Sequence, residues 1–251
     1  MKTLYTDLKN KTIIITGGLG FLASQFTKAF EENSSKVIIL DNRKTNRKNF
    51  FKCDLTKEKE IKAVASKIKK KYKKIDILIN NAANNYGPGV SSSKIKLENF
   101  SEDIWQKDLD VGLKSAMMCT KIFGTYMNRQ KNGGNIINIS SDLGIISPDN
   151  RIYKKNFVKP VTYSIIKHGI IGLTKYTATY WSKKIRCNAV AFGGMKNNQD
   201  KNFINRVNKL IPLGRMAKKN EYNNTILFLA SEASSYTNGT TVIVDGGRTI
   251  L

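Results

Sequence analysis

The chain has 251 residues, of which 40% are hydrophobic and 25% are charged. This composition excludes a disordered or fibrous protein, and the length suffices for one large α/β domain with its own core. The formal net charge is +24, from 43 Lys and Arg against 19 Asp and Glu. Most of the basic residues are lysines scattered along the chain, so we predict no nucleic-acid partner. A positive field of this kind would nevertheless attract an anionic substrate.

The cysteines and the N-terminal segment bear on location. Cys53, Cys119 and Cys187 are far apart and form no CxxC pair, which predicts reduced thiols and neither a metal site nor a disulfide framework. The first residues lack the apolar core of a signal peptide, and no stretch is apolar enough to cross a bilayer. We therefore expect a cytoplasmic protein without membrane contacts and without a metal.

Short runs rich in Ile and Val alternate along the chain with longer amphipathic segments. The predicted strands cover residues 12–15, 36–40, 50–53, 75–79, 135–139, 185–190 and 241–244. The predicted helices cover residues 21–32, 57–72, 101–110, 113–130, 161–183 and 221–231. Apolar runs without polar alternation are typical of parallel strands buried on both faces. The pattern predicts an α/β fold: a Rossmann-type doubly wound sheet of about seven parallel strands with helices on both faces, in a single domain over residues 1–251.

The first predicted strand runs into a glycine-rich loop, residues 16–23, and then into a helix. Gly17 and Gly20 allow the backbone to approach a diphosphate closely. The helix that begins near Phe21 and Leu22 presents free N–H groups and the positive end of its dipole. A tight strand–helix turn without a ligand would give a similar pattern.

The second predicted strand is followed by Asp41, at a distance from the glycine loop that suits the acid binding the adenosine ribose. A carboxylate there accepts hydrogen bonds from both ribose hydroxyls and repels the 2′-phosphate of NADP. We therefore expect NAD as cofactor. The neighbouring Arg43 leaves NADP open.

Tyr163 and Lys167 lie four residues apart in a predicted helix and so share one face. A nearby ammonium stabilises a phenolate, so we expect the pKa of Tyr163 to be lowered. The phenol would then exchange a proton with an alcohol or carbonyl while a hydride moves to or from a nicotinamide. Tyr and Lys are common in this chain, so the pair alone would also be expected by chance.

These motifs stand in the order of the short-chain dehydrogenase/reductase family, which the sequence resembles from Thr12 to its end. Besides the glycine loop and the Tyr163–Lys167 pair, the matching segments are residues 54–55, 80–83, 138–141, 186–190, 212–215 and 244–247. The resemblance implies that Ser141 hydrogen-bonds the substrate oxygen, that Tyr163 is the acid/base and that Lys167 binds the nicotinamide ribose.

The resemblance also implies a set of cofactor contacts and an oligomer. Asp54 and Leu55 would flank the adenine. The residues implied along the ribose and the nicotinamide are Asn81, Ala82, Ala83, Gly193, Gly194, Met195 and Asn197. Family members usually form dimers or tetramers through the helices predicted at 113–130 and 161–183, so we expect a homodimer or homotetramer.

The sequence departs from the family pattern at three places. Phe21 and Ala23 take the last two glycine positions of the usual loop. Gly112 stands where the family usually has an Asn that holds a proton-relay water, so a water or a backbone group would have to replace the amide. Phe192 replaces the usual Pro before the 193–197 segment.

The segment between Ser141 and Tyr163 is longer than usual, and the extra residues fall within 144–159. At the mouth of the site, such an insertion suits a polyhydroxylated or phosphorylated ligand. The candidate substrate residues are Asp142, just before this segment, and Arg151 and Tyr153 within it. The segment also holds Asp149, Lys154, Lys155 and Lys159. A solvated loop that only packs a subunit edge explains the insertion equally well.

The insertion and its flanks also resemble the branch of the family found in bacterial surface-sugar and flagellin-modification pathways. The sequence thus predicts an NAD(P)-dependent oxidoreductase that transfers a hydride between the nicotinamide and an alcohol or carbonyl group. The expected substrate is a sugar, amino sugar or sugar phosphate of surface-polysaccharide biosynthesis. Two alternatives stay open: a reductase of a ketoacyl, steroid or small-polyol substrate, and a non-catalytic cofactor-binding scaffold or sensor.

Overall fold

Seven strands form one parallel sheet in the computed structural model, which describes residues 4–86, 94–154 and 157–251. The strands are β1 (Thr12–Thr16), β2 (Lys36–Asp41), β3 (Phe50–Lys52), β4 (Ile77–Asn80), β5 (Gly134–Ser141), β6 (Ile185–Phe192) and β7 (Thr241–Val244). Their order is β3-β2-β1-β4-β5-β6-β7, and every pairing is parallel. The predicted Rossmann-type sheet is therefore confirmed.

Helices cover both faces of this sheet. The helices are α1 (Phe21–Glu32), α2 (Glu58–Tyr72), α3 (Glu102–Leu109), α4 (Ser115–Asn128), α5 (Val161–Tyr180), α6 (Lys201–Asn208) and α7 (Asn223–Ala230). Side chains alternate across a strand, so Ile13 joins the core that includes Phe26 of α1, whereas Ile14 joins the core that includes Ile61 of α2. Burial on both faces explains the uninterrupted apolar runs.

The structure differs from the predicted elements at three places. A π-helical segment, Asp110–Lys114, links α3 to α4, and α5 ends at Tyr180 rather than residue 183. Helix α6 was not predicted. It begins after Asp200, whose carboxylate accepts a 2.9 Å hydrogen bond from the N–H of Phe203 and so caps the helix. Its Val207 packs with Ile152 of the insertion.

Strands from both ends of the described chain pair within this sheet, which agrees with one domain over residues 1–251, although that boundary stays a prediction. The three cysteines are buried and free. In the described part of the chain, no helix has both the length and the apolarity needed to cross a membrane.

The order of the strands in the sheet reverses between β1 and β4. In open α/β sheets, ligands bind at such a point, beyond the carboxyl ends of the strands.

Candidate active site

The glycine loop lies between β1 and α1 against the end of β4. Gly17 has φ +61°, and a β-carbon there would lie 2.9 Å from the Cα of Ala82, so both conformation and space require glycine. Gly20 precedes α1 as its N-cap, and no side chain of the described residues caps this helix. The N–H groups of the first turn, at Phe21 and Leu22, fit the diphosphate of a dinucleotide.

Asn81 holds the glycine loop in place. Its side-chain amide donates hydrogen bonds to the carbonyl oxygens of Thr16 at 3.1 Å and Gly17 at 3.2 Å. Its own N–H donates to the Thr16 hydroxyl at 3.0 Å. The segment formed by Asn81, Ala82 and Ala83 therefore supports the loop from the β4 side. Direct contact of these three residues with the ribose stays a prediction.

Asp41 ends β2 and is buried, with 5% of its surface exposed. One carboxylate oxygen accepts from the N–H of Leu19 in the glycine loop at 3.1 Å, and the pair of oxygens accepts from the guanidinium of Arg43 at 3.1 and 3.2 Å. Burial acts to raise the pKa of Asp41, but the bonds from Arg43 and Leu19 outweigh it and hold the pKa below its usual value. Asp41 is therefore an anion at the adenosine end of the site.

Asp54 and Leu55 follow β3 and lie beside Asp41, because the N–H of Cys53 donates to the Asp41 carbonyl oxygen at 2.9 Å. The carboxylate of Asp54 accepts from the N–H of Thr56 at 3.0 Å and from its hydroxyl at 2.7 Å. Leu55 is buried. The two predicted adenine residues thus stand next to the predicted ribose residue.

The structure brings Ser141, Tyr163 and Lys167 together. Ser141 is the last residue of β5, Tyr163 lies in the first turn of α5 and Lys167 in the second. The Nζ of Lys167 lies 5.7 Å from the centroid of the Tyr163 ring and donates a 2.8 Å hydrogen bond to the carbonyl oxygen of Ile139. A hydrogen bond joins the hydroxyls of Ser141 and Tyr163.

The expected lowering of the pKa of Tyr163 is wrong. Burial raises the pKa of Tyr163 to about 12, although its bond to Ser141 acts in the other direction. Burial likewise lowers the pKa of Lys167 to about 8, and the positive charge of the nearby Lys159 lowers it further. Loss of solvation of the phenolate outweighs its attraction to an ammonium that is itself poorly solvated. At neutral pH Tyr163 is thus a neutral phenol, the form that donates a proton to a carbonyl oxygen.

Gly112 lies within the π-helical segment and packs closely on α5. A β-carbon at this position would lie 2.8 Å from Cγ2 of Ile166. The helices therefore leave no room for the amide that the family usually carries here. On the other side of α5, Lys167 is held by the backbone oxygen of Ile139.

Replacing Gly112 with Asn is expected to lower the free energy of unfolding by about 1–3 kcal/mol, because the side chain overpacks the contact with Ile166. Thermal and urea unfolding measure this loss. Ile166→Ala provides space for the amide, so Gly112→Asn should cost less when it is introduced into the Ile166→Ala variant than into the wild type. Equal stability of the wild type and Gly112→Asn would show that this helix contact is not tight.

The segment after β6 is fixed by β7 and by the loop before α7. The N–H of Gly193 donates to the Val244 carbonyl oxygen at 3.0 Å, and the hydroxyl of Tyr222 donates to the Gly193 carbonyl oxygen at 2.8 Å. The carbonyl oxygen of Gly194 accepts from the N–H of Ala217 at 3.0 Å. These bonds fix the position of the segment that the nicotinamide is predicted to contact.

Two further residues of this segment were predicted from the family pattern. The amide of Gln199 donates to the carbonyl oxygen of Met195 at 3.0 Å and accepts from the N–H of Asn197 at 2.6 Å. Phe192, which replaces the usual Pro, stacks on Tyr222 with ring centroids 4.1 Å apart. Phe192 is therefore a core residue, and the nicotinamide contacts of Met195 and Asn197 stay predictions.

Asp142 was predicted to contact the substrate, but protein donors occupy its carboxylate. One oxygen accepts from the Ser141 hydroxyl at 2.7 Å and from the N–H of Leu143 at 2.9 Å. The other accepts from the guanidinium of Arg248 at 2.8 Å, and the side chains of this ion pair are only 4% and 8% exposed. In this structure Asp142 positions Ser141. Sequence reasoning missed Arg248.

The other predicted substrate residues occupy different surroundings. Arg151 is 88% exposed and ion-paired with Asp149 at 2.8 Å. Tyr153 lies among aromatic rings, 5.0 Å from the Phe157 centroid and 5.7 Å from that of Phe203. Burial raises the pKa of Tyr153 to about 12, and the charge of Arg248 opposes this rise. Tyr153 thus lies near the Asp142–Arg248 pair.

Three lysines of the insertion were also singled out in the sequence. Lys154 is 66% exposed and forms an ion pair with Asp200 at 3.6 Å. Lys155 lies outside the described residues. Lys159 lies beside the catalytic group: its Nζ is 3.9 Å from the centroid of the Tyr163 ring and donates a 2.6 Å hydrogen bond to the side-chain oxygen of Asn85. The insertion therefore contributes a second ammonium next to Tyr163.

A dinucleotide lying from the glycine loop past Asp41 would present its nicotinamide to Ser141, Tyr163 and Lys167, because all these residues follow the carboxyl ends of neighbouring strands. When bound, the nicotinamide supplies or accepts the hydride. We predict that Tyr163 moves the proton at the substrate oxygen, that Ser141 orients that oxygen, and that Lys167 provides positive charge beside the phenol. Such an arrangement suits an oxidoreductase that acts on an alcohol or carbonyl group.

The chain belongs to the short-chain dehydrogenase/reductase family. A family model described as enoyl-(acyl carrier protein) reductase matches residues 23–249. The chain is also 29% identical to a solved short-chain dehydrogenase from Leptospira borgpetersenii with bound NAD+, with a TM-score of 0.86 over 96% of this chain and 93% of the other. The family, the fold and the nicotinamide cofactor predicted from the sequence are thus confirmed. The protein is an NAD(P)-dependent oxidoreductase, which removes the scaffold hypothesis.

Curated relatives differ in their named substrates. The chain is 31% identical to the 3-oxoacyl-[acyl-carrier-protein] reductase FabG of Thermotoga maritima, over 97% of this chain and 99% of the relative. It is 31% identical to the 2-dehydro-3-deoxy-D-gluconate 5-dehydrogenase of Bacillus subtilis, over 96% of this chain and 95% of the relative. The post-translational flagellin modification protein A of Campylobacter coli is 28% identical, over 96% of this chain and 98% of the relative. This similarity agrees with the resemblance to the flagellin-modification branch seen in the sequence.

Proposed function

We propose that this chain oxidises or reduces a sugar, amino sugar or sugar phosphate in surface-polysaccharide biosynthesis, with NAD as cofactor. The polar surroundings of Tyr163 carry this proposal. The ammonium of Lys159 and the amide of Asn85 lie on one side, and the Asp142–Arg248 pair supports Ser141 on the other. A polyhydroxylated substrate matches such donors and acceptors, whereas an acyl chain requires apolar walls.

A substrate panel tests this proposal. We would measure NADH formation and consumption with neutral sugars, amino sugars, sugar acids and sugar phosphates, and in parallel with acyl thioesters, steroids and small polyols. Turnover confined to the carbohydrate group supports the proposal. Turnover of acyl thioesters with none of any carbohydrate contradicts it and favours the second candidate, a ketoacyl reductase, which the similarity to FabG motivates.

Replacing Asp41 with Ser is expected to raise the preference for NADP over NAD by about tenfold or more, measured as the ratio of kcat/KM values. The substitution removes the anion that repels a 2′-phosphate and releases the guanidinium of Arg43, which is 60% exposed. In the double variant Asp41→Ser with Arg43→Ala, most of the gain should be lost because the released cation is absent. An unchanged ratio in Asp41→Ser would show that Asp41 does not read the ribose.

A homodimer or homotetramer is part of the proposal. Large apolar or aromatic side chains lie exposed on α4 and α5: Met117 is 42% exposed, Ile165 39%, Tyr176 65% and Tyr180 65%. Large apolar and aromatic side chains exposed along helices are typical of a contact between copies. Light scattering measures the mass in solution, and a monomer at micromolar concentration would contradict the proposed oligomer.

The cytoplasmic location stays a prediction.

A further inference from the structure

Lys159 brings a second positive charge to the catalytic Tyr163. Its Nζ lies 3.9 Å from the centroid of the Tyr163 ring, closer than the 5.7 Å of Lys167. Lys159 directly precedes Pro160, the N-cap of α5, and no side chain of the described segments caps that helix. The positive end of the α5 dipole therefore adds to the charge of Lys159 at this place.

The residues that the structure describes provide no full counter-charge for this ammonium. The carboxylate whose charge acts on Lys159 is that of Asp142, and it already forms an ion pair with Arg248 at 2.8 Å. Within residues 4–86, 94–154 and 157–251, Lys159 donates its one hydrogen bond to a neutral group, the amide oxygen of Asn85 at 2.6 Å. An ammonium has three donors, so two of them are left for a ligand.

The protonation of Lys159 agrees with this charge balance. Burial lowers the pKa of Lys159 to about 8, and the charge of Asp142 only partly opposes that effect. At neutral pH the side chain is mostly cationic in a site that solvates it poorly. A bound anion would supply the missing counter-charge and form charge-assisted hydrogen bonds.

We infer that Lys159 anchors an anionic group of the substrate, a carboxylate or phosphate carried close to the reacting carbon. The inference rests on the proposed function, because it requires that the substrate oxygen binds Tyr163. The phenol oxygen projects from the ring that Lys159 covers, so substituents on carbons next to the reacting one lie within reach of the ammonium. The substrate class is therefore a sugar acid or a sugar phosphate rather than a neutral sugar.

Two further observations support an anionic substrate. The net charge of +24 gives the whole chain a field that attracts anions. The name of the Bacillus subtilis relative specifies an acidic sugar, 2-dehydro-3-deoxy-D-gluconate, as the substrate of that protein. Carboxylate and phosphate share the charge and the acceptor oxygens that an ammonium recognises, so the experiment must separate them.

The test is calorimetric binding to the protein saturated with NADH, with D-gluconate, D-glucose 6-phosphate and D-glucose as probes. Wild type is expected to bind at least one of the two anions more tightly than glucose. Replacing Lys159 with Met should weaken the binding of that anion by about 10- to 100-fold, because a charge-assisted hydrogen bond is lost. The affinity for glucose should remain unchanged. Lys159→Arg should retain most of the affinity. Lys154→Met, at a 66% exposed lysine paired with Asp200, is the matched control and should bind like wild type.

Tm and NADH affinity, measured in parallel, show whether Lys159→Met is folded. Binding of gluconate alone identifies a carboxylate and binding of glucose 6-phosphate alone a phosphate, and either supports the inference. Equal affinity of wild type for anions and glucose, no binding of either anion, or unchanged anion binding in Lys159→Met overturns it. Failure of the proposed function is a different result: Lys159-dependent anion binding persists, but no carbohydrate is turned over.

Discussion

Replacing Tyr163 with Phe lowers kcat by about 10²–10⁴-fold, the usual contribution of a positioned acid/base group. Only the phenol oxygen is removed, so the ring keeps its contacts with Lys159 and Lys167 and the fold should be unchanged. NADH affinity is therefore expected to stay near the wild-type value. Steady-state kinetics in the carbonyl-reduction direction measure the effect, because the neutral phenol is the proton donor there.

The chain offers a matched control on the same helix. Tyr176 lies in α5 and is 65% exposed, so Tyr176→Phe removes an equivalent oxygen far from the reacting atoms and should leave kcat unchanged. Full activity in Tyr163→Phe would show that another group moves the proton. A loss of NADH binding in that variant would instead point to a structural role for the phenol.

Replacing Arg248 with Met lowers the free energy of unfolding by about 3–5 kcal/mol, because it leaves the buried carboxylate of Asp142 without its partner. The ion pair is 2.8 Å long and almost fully buried. We also expect a lower kcat, since the carboxylate that holds the Ser141 hydroxyl would no longer be fixed. Chemical unfolding gives the first quantity and single-turnover kinetics give the second.

Two comparisons separate this effect from the simple loss of an arginine. Arg151→Met removes a guanidinium that is 88% exposed and paired with Asp149, so stability should remain near that of wild type. Adding Asp142→Asn to Arg248→Met removes the uncompensated buried charge and should restore part of the lost stability. If Arg248→Met were as stable as Arg151→Met, the buried pair would not hold the C-terminal segment to the active site.

Local patterns in the sequence predict most of the fold. The strands were found because burial on both faces makes them continuously apolar, as at Ile13–Ile15. Helix α6 was missed because it is only eight residues long and rich in Asn, although Asp200 is a good N-cap and Phe203 and Val207 share one face. The π-helical turn at Gly112 depends on packing against α5 and leaves no local signature.

The residues of the site likewise fall into those that local motifs reveal and those that only the tertiary structure reveals. Ser141, Tyr163 and Lys167 are recognisable because each belongs to a short motif at the end of a strand or the start of a helix. Arg248 lies 106 residues from Asp142 along the chain, and only the tertiary fold brings them together. The pKa of Tyr163 was predicted in the wrong direction for a related reason: spacing reveals the nearby cation, but the loss of solvation follows from the packing around the ring.

A crystal structure of the protein with NADH tests most directly whether Tyr163 exchanges its proton next to a bound nicotinamide. We predict that the diphosphate contacts the N-terminus of α1, that Lys167 hydrogen-bonds the nicotinamide ribose, and that the nicotinamide ring faces the Tyr163 hydroxyl. A dinucleotide found elsewhere on the protein, or with its nicotinamide turned away from Tyr163, would contradict the assignment.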